Sequence, residues 1–243
     1  MNRGKYIKVL KKSPLAPKRM FCFPYAGGSA SIYKEWADKL YPNVEICAIQ
    51  MPGREERICE DVLLHIEEVV EEVYKELQEY SDKPFCFYGH SLGALICYET
   101  AKKLFLASKQ EPYVMFVSGC GAPHVPPKEI IHNLPEDEFE KKIFSLGGTP
   151  QVILENMEIL SLFLPILRSD FTMVESYECK QRLKLQTSIV AFSGKEDKEV
   201  ELNELLAWNE YTIKDFSYHL FPGGHFFIRD SFDDVIKEVK KHL

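Results

Sequence analysis

The feature that most constrains the fold is a regular alternation of two kinds of segment. Short runs of β-branched and aromatic residues are followed by a glycine-bearing loop and then by a segment with helical spacing. Most of the short runs are apolar throughout, which is typical of strands covered on both faces. Such alternation predicts an α/β fold, a mostly parallel sheet with helices on both faces. The predicted strands cover residues 20–23, 44–49, 85–88, 113–117, 188–192 and 217–221.

Four other segments have helical periodicity. The clearest is amphipathic, with an apolar stripe that includes Val62, Val69 and Leu77 and with glutamates on the opposite side. The predicted helices cover residues 61–80, 92–107, 201–211 and 232–243.

The alternation is interrupted between about Gly121 and Arg182. This stretch has several prolines, then helical patterns rich in Leu, Ile and Phe, and no clear strand pattern. The simplest interpretation is a set of helices inserted between two strands, which in a hydrolase tends to cover the pocket as a lid. We therefore predict one domain over residues 1–243 with a lid insertion at about 122–182.

Composition excludes several classes of protein. The 30 basic and 37 acidic side chains give a net charge of −7, which argues against a nucleic-acid partner. The longest apolar stretch, around residues 159–167, is far too short for a membrane span and contains Pro165. The N-terminus does not resemble a signal peptide, and the 7 cysteines form no C-x-x-C pair. These features favour a cytoplasmic protein with free thiols, and monomer is the default expectation.

A candidate nucleophile lies between the third predicted strand and the helix that follows it. Gly89-His90-Ser91-Leu92-Gly93 fits G-x-S-x-G in the strand–turn–helix context that the motif requires. The turn exposes the serine hydroxyl beside a helix N-terminus, whose N–H groups favour an oxyanion. A glycine-rich turn with an incidental serine is the simpler alternative.

A serine nucleophile needs a base, and among the seven histidines His225 is the best candidate. It alone combines the chain order Ser, acid, His with a loop at a strand end, in Pro222-Gly223-Gly224-His225. His90, next to the serine, is expected to point away from it. His124 also follows a strand, but it precedes any plausible acid.

For the acid that orients the base, Asp197 is the first choice because it follows the strand that ends at residue 192. Glu196 and Asp170 remain alternatives. The oxyanion hole needs two backbone donors. We assign one to Leu92, the residue after the serine. We assign the other to Ala26, with Tyr25 next, in the glycine-containing loop after the first strand.

With these residues in place, the chain resembles the type II thioesterases, the free-standing partners of nonribosomal peptide and polyketide synthases. The resemblance extends over nearly the whole chain, and its most selective elements combine F-P-x-A-G-G with P-G-R-E. The motifs are Phe21-Cys22-Phe23-Pro24-Tyr25-Ala26-Gly27-Gly28, Met51-Pro52-Gly53-Arg54-Glu55-Glu56-Arg57, Gly89-His90-Ser91-Leu92-Gly93, Leu134-Pro135, Leu146-Gly147-Gly148, Leu164-Pro165-Ile166-Leu167-Arg168-Ser169-Asp170, Gly194 to Asp197 and Gly223-Gly224-His225.

The resemblance implies an α/β-hydrolase fold with a helical lid and a triad of Ser91, Asp197 and His225. It implies a substrate held as a thioester on the phosphopantetheine arm of an acyl or peptidyl carrier protein, from which misloaded or stalled acyl groups are released. No metal or organic cofactor is expected, since the pantetheine belongs to the substrate. A cytosolic carboxylester hydrolase or an acyltransferase with the same triad is the alternative.

Two further sets of residues have open roles. Arg54 and Arg57 could contact a phosphate or an acidic carrier protein at the mouth of the site, or simply balance Glu55 and Glu56 at the surface. The apolar residues of the insertion could line an acyl channel, although most are expected to pack the lid onto the core: Phe139, Phe144, Leu160, Phe163 and Leu164.

Overall fold

A seven-stranded sheet forms the centre of the protein. The computed structural model describes residues 5–80, 82–148 and 155–243. The strand order is β1-β3-β2-β4-β5-β6-β7; β1 is antiparallel to β3 and all other neighbours are parallel. The predicted α/β class is therefore confirmed. The strands are β1 (Ile7–Val9), β2 (Lys18–Phe23), β3 (Val44–Ile49), β4 (Phe85–His90), β5 (Val114–Ser118), β6 (Ser188–Gly194) and β7 (Phe216–Phe221).

Helices flank this sheet and also fill the insertion. The α-helices are α1 (Lys34–Leu40), α2 (Ile66–Leu77), α3 (Leu92–Ser108), α4 (Glu136–Ser145), α5 (Met157–Glu175), α6 (Leu202–Leu206), α7 (Phe227–Asp230) and α8 (Phe232–Lys241). Short 3₁₀ helices occupy Ala30–Tyr33, Glu55–Arg57, Gln78–Tyr80 and Ala207–Tyr211.

Each apolar strand supplies two hydrophobic cores, because successive side chains point to opposite faces of the sheet. In β2, Phe21 and Phe23 join the core that contains α2 and α3. Met20 and Cys22 join the core on the other face, with α1 and α8. Burial on both faces explains why most of the strands show no polar alternation.

The elements that differ from the sequence predictions have local causes. Strand β1 was not predicted, since its three residues include Lys8 and its pairing partner β3 is distant in the chain. Helix α2 begins at Ile66 rather than near residue 61, because His65 and Glu68 form a capping box there. The edge strand β7 is largely exposed rather than covered on both faces.

The insertion between β5 and β6 is helical, and its described residues include no strand. Helices α4 and α5 share a small core of their own, which includes the buried residues Phe139, Leu160 and Leu164. These three residues therefore pack within the insertion itself, rather than onto the main core as expected from the sequence. Phe144 instead lies partly exposed at the surface.

The cysteines lie within the described residues and are all free thiols, as expected. Burial raises the pKa of the Cys47 and Cys86 thiols to about 12, so neither is a reactive thiolate near neutral pH. Over the described part of the chain, no helix is long and apolar enough to cross a membrane.

Candidate active site

Ser91 lies on the sharp turn between β4 and α3. Its backbone has φ of 53° and ψ of −121°, a region that L-residues rarely adopt. The N–H of Ser91 donates to the carbonyl of Ser118 on the neighbouring strand at 2.7 Å, which fixes the turn. A strained serine held between a strand and a helix is the local geometry expected of a nucleophile.

The two glycines of the motif are required by close contact between backbones. A Cβ at Gly89 would lie 2.2 Å from the carbonyl oxygen of Gly93, one turn along the helix. A Cβ at Gly93 would lie 2.2 Å from the carbonyl oxygen of Phe23, at the end of β2. Helix α3 therefore starts directly against the loop that follows β2, which brings that loop close to Ser91.

The loops after β6 and β7 bring Asp197 and His225 together. His225 Nδ1 lies 3.0 Å from Asp197 Oδ2 and 3.2 Å from Oδ1. The Asp197 side chain is fully buried, whereas 15% of the His225 side chain is exposed. A buried carboxylate can thus fix one tautomer of an imidazole that still reaches the solvent side of the site.

Further hydrogen bonds hold the Asp197 carboxylate. Oδ1 accepts from the N–H of Glu199 at 2.9 Å, and Oδ2 accepts from the hydroxyl of Ser193 at 3.4 Å. Burial alone raises the pKa of Asp197, but the hydrogen bond and charge of His225, together with these donors, outweigh it. The net pKa of Asp197 is lowered, so the carboxylate is charged near neutral pH.

The alternative residues have other partners. Glu196 Oε2 accepts from the N–H of Gly223 at 2.6 Å and so braces the histidine loop. The side chain of Asp170 pairs with Arg54. His124 is hydrogen-bonded to the Tyr211 hydroxyl at 2.8 Å. Of the candidates weighed from the sequence, the structure brings only Asp197 to His225.

The two backbone N–H groups assigned from the sequence as oxyanion donors, those of Leu92 and Ala26, follow a turn and lie in a turn, respectively. Leu92 opens helix α3, and Ala26 lies in a tight turn closed by a 2.8 Å hydrogen bond from Gly28 N–H to the Tyr25 carbonyl. Within the described ranges, neither the Leu92 nor the Ala26 N–H has an acceptor. Both groups are therefore free to bind a developing negative charge.

Ser91, His225 and Ala26 all line one cavity of about 550 Å³. The lid contributes apolar residues to its wall, including Phe163 and Leu167 of α5. Phe163 is thus one predicted channel residue that does line the cavity. No hydrogen bond joins Ser91 to His225 across the described residues, and such contacts often shorten only when substrate binds.

Comparison with known proteins decides the family. The family model described as "Thioesterase domain" matches residues 18–243, which is nearly the whole chain. The chain belongs to the thioesterase family. Its curated relatives include the gramicidin S biosynthesis protein GrsT of Aneurinibacillus migulanus, which is 42% identical over 94% of this chain and 90% of its own length. Thioesterase PikA5 of Streptomyces venezuelae is 34% identical, over 100% of this chain and 87% of its own.

Solved structures agree with this assignment. The type II thioesterase BorB of the borrelidin cluster superimposes on this thioesterase with a TM-score of 0.89 at 30% identity. The match covers 98% of this chain and 97% of BorB. The resemblance to type II thioesterases inferred from the motifs is therefore confirmed.

The two arginines of the segment 51–57 are not surface residues of the thioesterase. Arg54 and Arg57 are only 6% and 5% exposed. Arg54 binds Asp170, whereas Arg57 binds Glu60 at 2.8 Å and stacks on Tyr6. Surface charge balance with Glu55 and Glu56 is wrong, because both glutamates pair with Lys8. Contact with a phosphate or a carrier protein stays a prediction, and Arg54 lines the cavity that contains Ser91.

His90 lies closer to the site than the sequence indicated. Its ring is fully buried, with its centroid 5.1 Å from that of His225, and its Nδ1 lies 2.9 Å from the Ser118 hydroxyl. Burial, and secondarily the charge of His225, holds the pKa of His90 well below its ordinary value. His90 is therefore a neutral ring packed beside His225.

Proposed function

We propose that this thioesterase hydrolyses acyl thioesters on the phosphopantetheine arm of carrier proteins in nonribosomal peptide or polyketide synthesis. Its role is to remove misprimed or stalled acyl groups and so to regenerate the free thiol. The observation that carries the proposal is the His225–Asp197 pair, which shares one cavity with a strained Ser91. The similarity to GrsT, a gramicidin S biosynthesis protein matched over most of its length, supports the biosynthetic setting, and that to the thioesterase PikA5 supports the reaction.

Ser91 and His225 carry out the acylation step. The Ser91 oxygen attacks the thioester carbonyl carbon while His225 takes the hydroxyl proton, and Asp197 stabilises the imidazolium that forms. The N–H groups of Leu92 and Ala26 bind the oxyanion of the tetrahedral intermediate. The carbon–sulfur bond then breaks, and the departing thiolate receives the proton from His225.

Deacylation uses the same groups with water as the nucleophile. His225 removes a proton from the water as its oxygen attacks the acyl-Ser91 ester, and Ser91 leaves with that proton. The products are a free acid and the carrier thiol. No metal or organic cofactor enters this scheme, and the lid residues Phe163 and Leu167 offer the acyl group an apolar surface.

The substrate assignment is tested by comparing an acetyl-loaded carrier protein, acetyl-coenzyme A and p-nitrophenyl acetate. We expect kcat/KM for the carrier thioester to exceed that for the oxoester by at least about tenfold, because binding energy from the carrier and arm lowers the barrier. Acetyl-coenzyme A, which has the arm without the carrier, separates the two contributions. Cleavage of the oxoester alone would indicate a plain esterase, and an acylated product in place of free acid would indicate an acyltransferase.

A further inference from the structure

A buried ion pair connects the lid helix α5 to the loop after β3. Asp170 of α5 has a fully buried side chain, and that of Arg54 is 7% exposed. Arg54 Nη1 lies 2.8 Å from Asp170 Oδ2, and Nη2 lies 3.0 Å from Oδ1. This two-point contact fixes the orientation of both groups.

The same pair also holds the loop that contains Ala26. Asp170 Oδ2 accepts from the N–H of Gly27 at 2.7 Å. Arg54 Nη1 donates to the carbonyl of Gly28 at 3.1 Å. The pair therefore binds the two residues that follow Ala26, one through its N–H and the other through its carbonyl.

The hydrogen bond to Gly27 engages one of the N–H groups of this loop. The Gly27 N–H belongs to the peptide unit that follows Ala26, so binding it to Asp170 fixes that plane. Gly27 has φ of +76°, a conformation that glycine adopts readily. With the Gly27 N–H engaged, the Ala26 N–H is the neighbouring donor left free for substrate.

Helix α5 also packs against the loop that contains Ala26 through apolar contacts. A Cβ at Gly27 would lie 2.7 Å from Leu167 Cδ2 and 2.9 Å from Phe163 Cζ. The loop is thus held between the ion pair and the lid side chains, with no room for a larger residue at position 27.

Charge balance explains why the carboxylate needs a guanidinium partner. An unpaired carboxylate bound to the next peptide would repel the negative charge that develops at the oxyanion. Arg54 neutralises Asp170 and leaves its hydrogen bond to Gly27 in place. The loop is therefore anchored without an opposing charge beside the reacting carbonyl.

We propose that Arg54 and Asp170 are positioning residues that align the Ala26 N–H for oxyanion binding and make this alignment depend on lid helix α5. The proposal rests on the donor role given to Ala26 in the proposed function. It requires neither residue to touch the substrate.

The test is the double substitution Arg54→Met with Asp170→Leu, which removes both charges and leaves no unpaired buried ion. The matched control is Arg19→Met with Glu45→Leu, since Arg19 and Glu45 form an equally buried pair, 2.7 Å apart, near the other end of β2. The activity of both double variants is measured on acetyl-carrier protein and on p-nitrophenyl acetate. The assay temperature is well below the thermal unfolding midpoint of the less stable variant.

We expect the Arg54/Asp170 double variant to lose about 10- to 100-fold in kcat on both substrates, the size of effect that misalignment of a catalytic group produces. KM for the carrier should stay within about threefold, because an interaction made only in the transition state is weakened. Inhibition by phenylboronic acid, whose tetrahedral Ser91 adduct mimics the transition state, should weaken in parallel. The Arg19/Glu45 control should keep the wild-type kcat, although its thermal unfolding midpoint should be similar to that of the Arg54/Asp170 variant.

A wild-type kcat in the Arg54/Asp170 double variant would overturn the proposal, as would an equal loss in the control. If the double variant does not fold, Arg54→Gln with Asp170→Ala, which is also uncharged and lacks the acceptor for Gly27, is measured in the same way and the same kcat criterion applies. The assay on p-nitrophenyl acetate measures the positioning role independently of the proposed carrier-thioester substrate. If wild type cleaves the ester but not the carrier thioester, the substrate assignment fails while the positioning role is still measured.

Discussion

Substitution of His225 by alanine is expected to lower kcat for thioester hydrolysis by about 10⁶-fold, the loss typical of removing the base of a serine-hydrolase triad. Without the imidazole, the Ser91 hydroxyl has no acceptor for its proton and the thiolate has no donor. The fold should persist with some loss of stability, because His225 lies on a partly exposed loop between β7 and α7 but the buried Asp197 loses its partner. Single-turnover measurement on acyl-loaded carrier protein resolves a loss of this size.

The matched control for this substitution is His124→Ala. His124 was the rival from sequence order, and in the structure it stacks on Tyr211 away from Ser91. This variant should keep kcat within a few-fold of wild type. A His225→Ala enzyme with activity within tenfold of wild type would contradict the role given to this base.

Substitution of Asp197 by asparagine is expected to lower kcat by about 10⁴-fold. The amide keeps the shape of the carboxylate, but its NH₂ group can face Nδ1 and favour the wrong tautomer of His225. It also lacks the charge that stabilises the imidazolium. The control is Glu196→Gln, whose side-chain oxygen can still accept from Gly223, so its kcat should stay near wild type.

The stability of the Asp197→Asn variant should depend on pH differently from that of wild type. Because the pKa of Asp197 is lowered in the folded protein, its charged form stabilises the fold above the unfolded value of about 4. That contribution is lost as pH falls through the folded pKa. We therefore expect the difference in unfolding free energy between wild type and Asp197→Asn to shrink below about pH 4 in urea titrations. A difference in unfolding free energy that does not change with pH would contradict the stabilisation of the fold by the charged Asp197 carboxylate.

Local patterns were sufficient to locate strands β2 to β7 and to place the three proposed triad residues at strand ends. Most of these strands are compact apolar runs, and Ser91, Asp197 and His225 each follow one of the strands in a loop. Because carboxyl ends of parallel strands meet at one edge of a sheet, these loops converge. The structure places Asp197 against His225 as this argument requires, while their catalytic roles stay predictions.

Long-range pairs could not be predicted in this way. Arg54 and Asp170 are 116 positions apart, and each is flanked by other charged or polar residues, so each has the local sequence pattern of a surface residue. Their burial depends on how the lid helix packs against the loop after β3. His90 was misplaced for a similar reason, since its proximity to His225 depends on where the loop after β7 returns.

The central claim, that Ser91 hydrolyses carrier-bound thioesters, is tested most directly by intact-protein mass spectrometry. An acetyl-loaded phosphopantetheinyl carrier protein is incubated with wild type and with Ser91→Ala. We expect loss of the acetyl mass with wild type only, and release of free acetate. Retention of the acetyl mass with wild type, while p-nitrophenyl acetate is still cleaved, would contradict carrier-thioester hydrolysis for short acyl groups. Equal loss with Ser91→Ala would contradict the nucleophile.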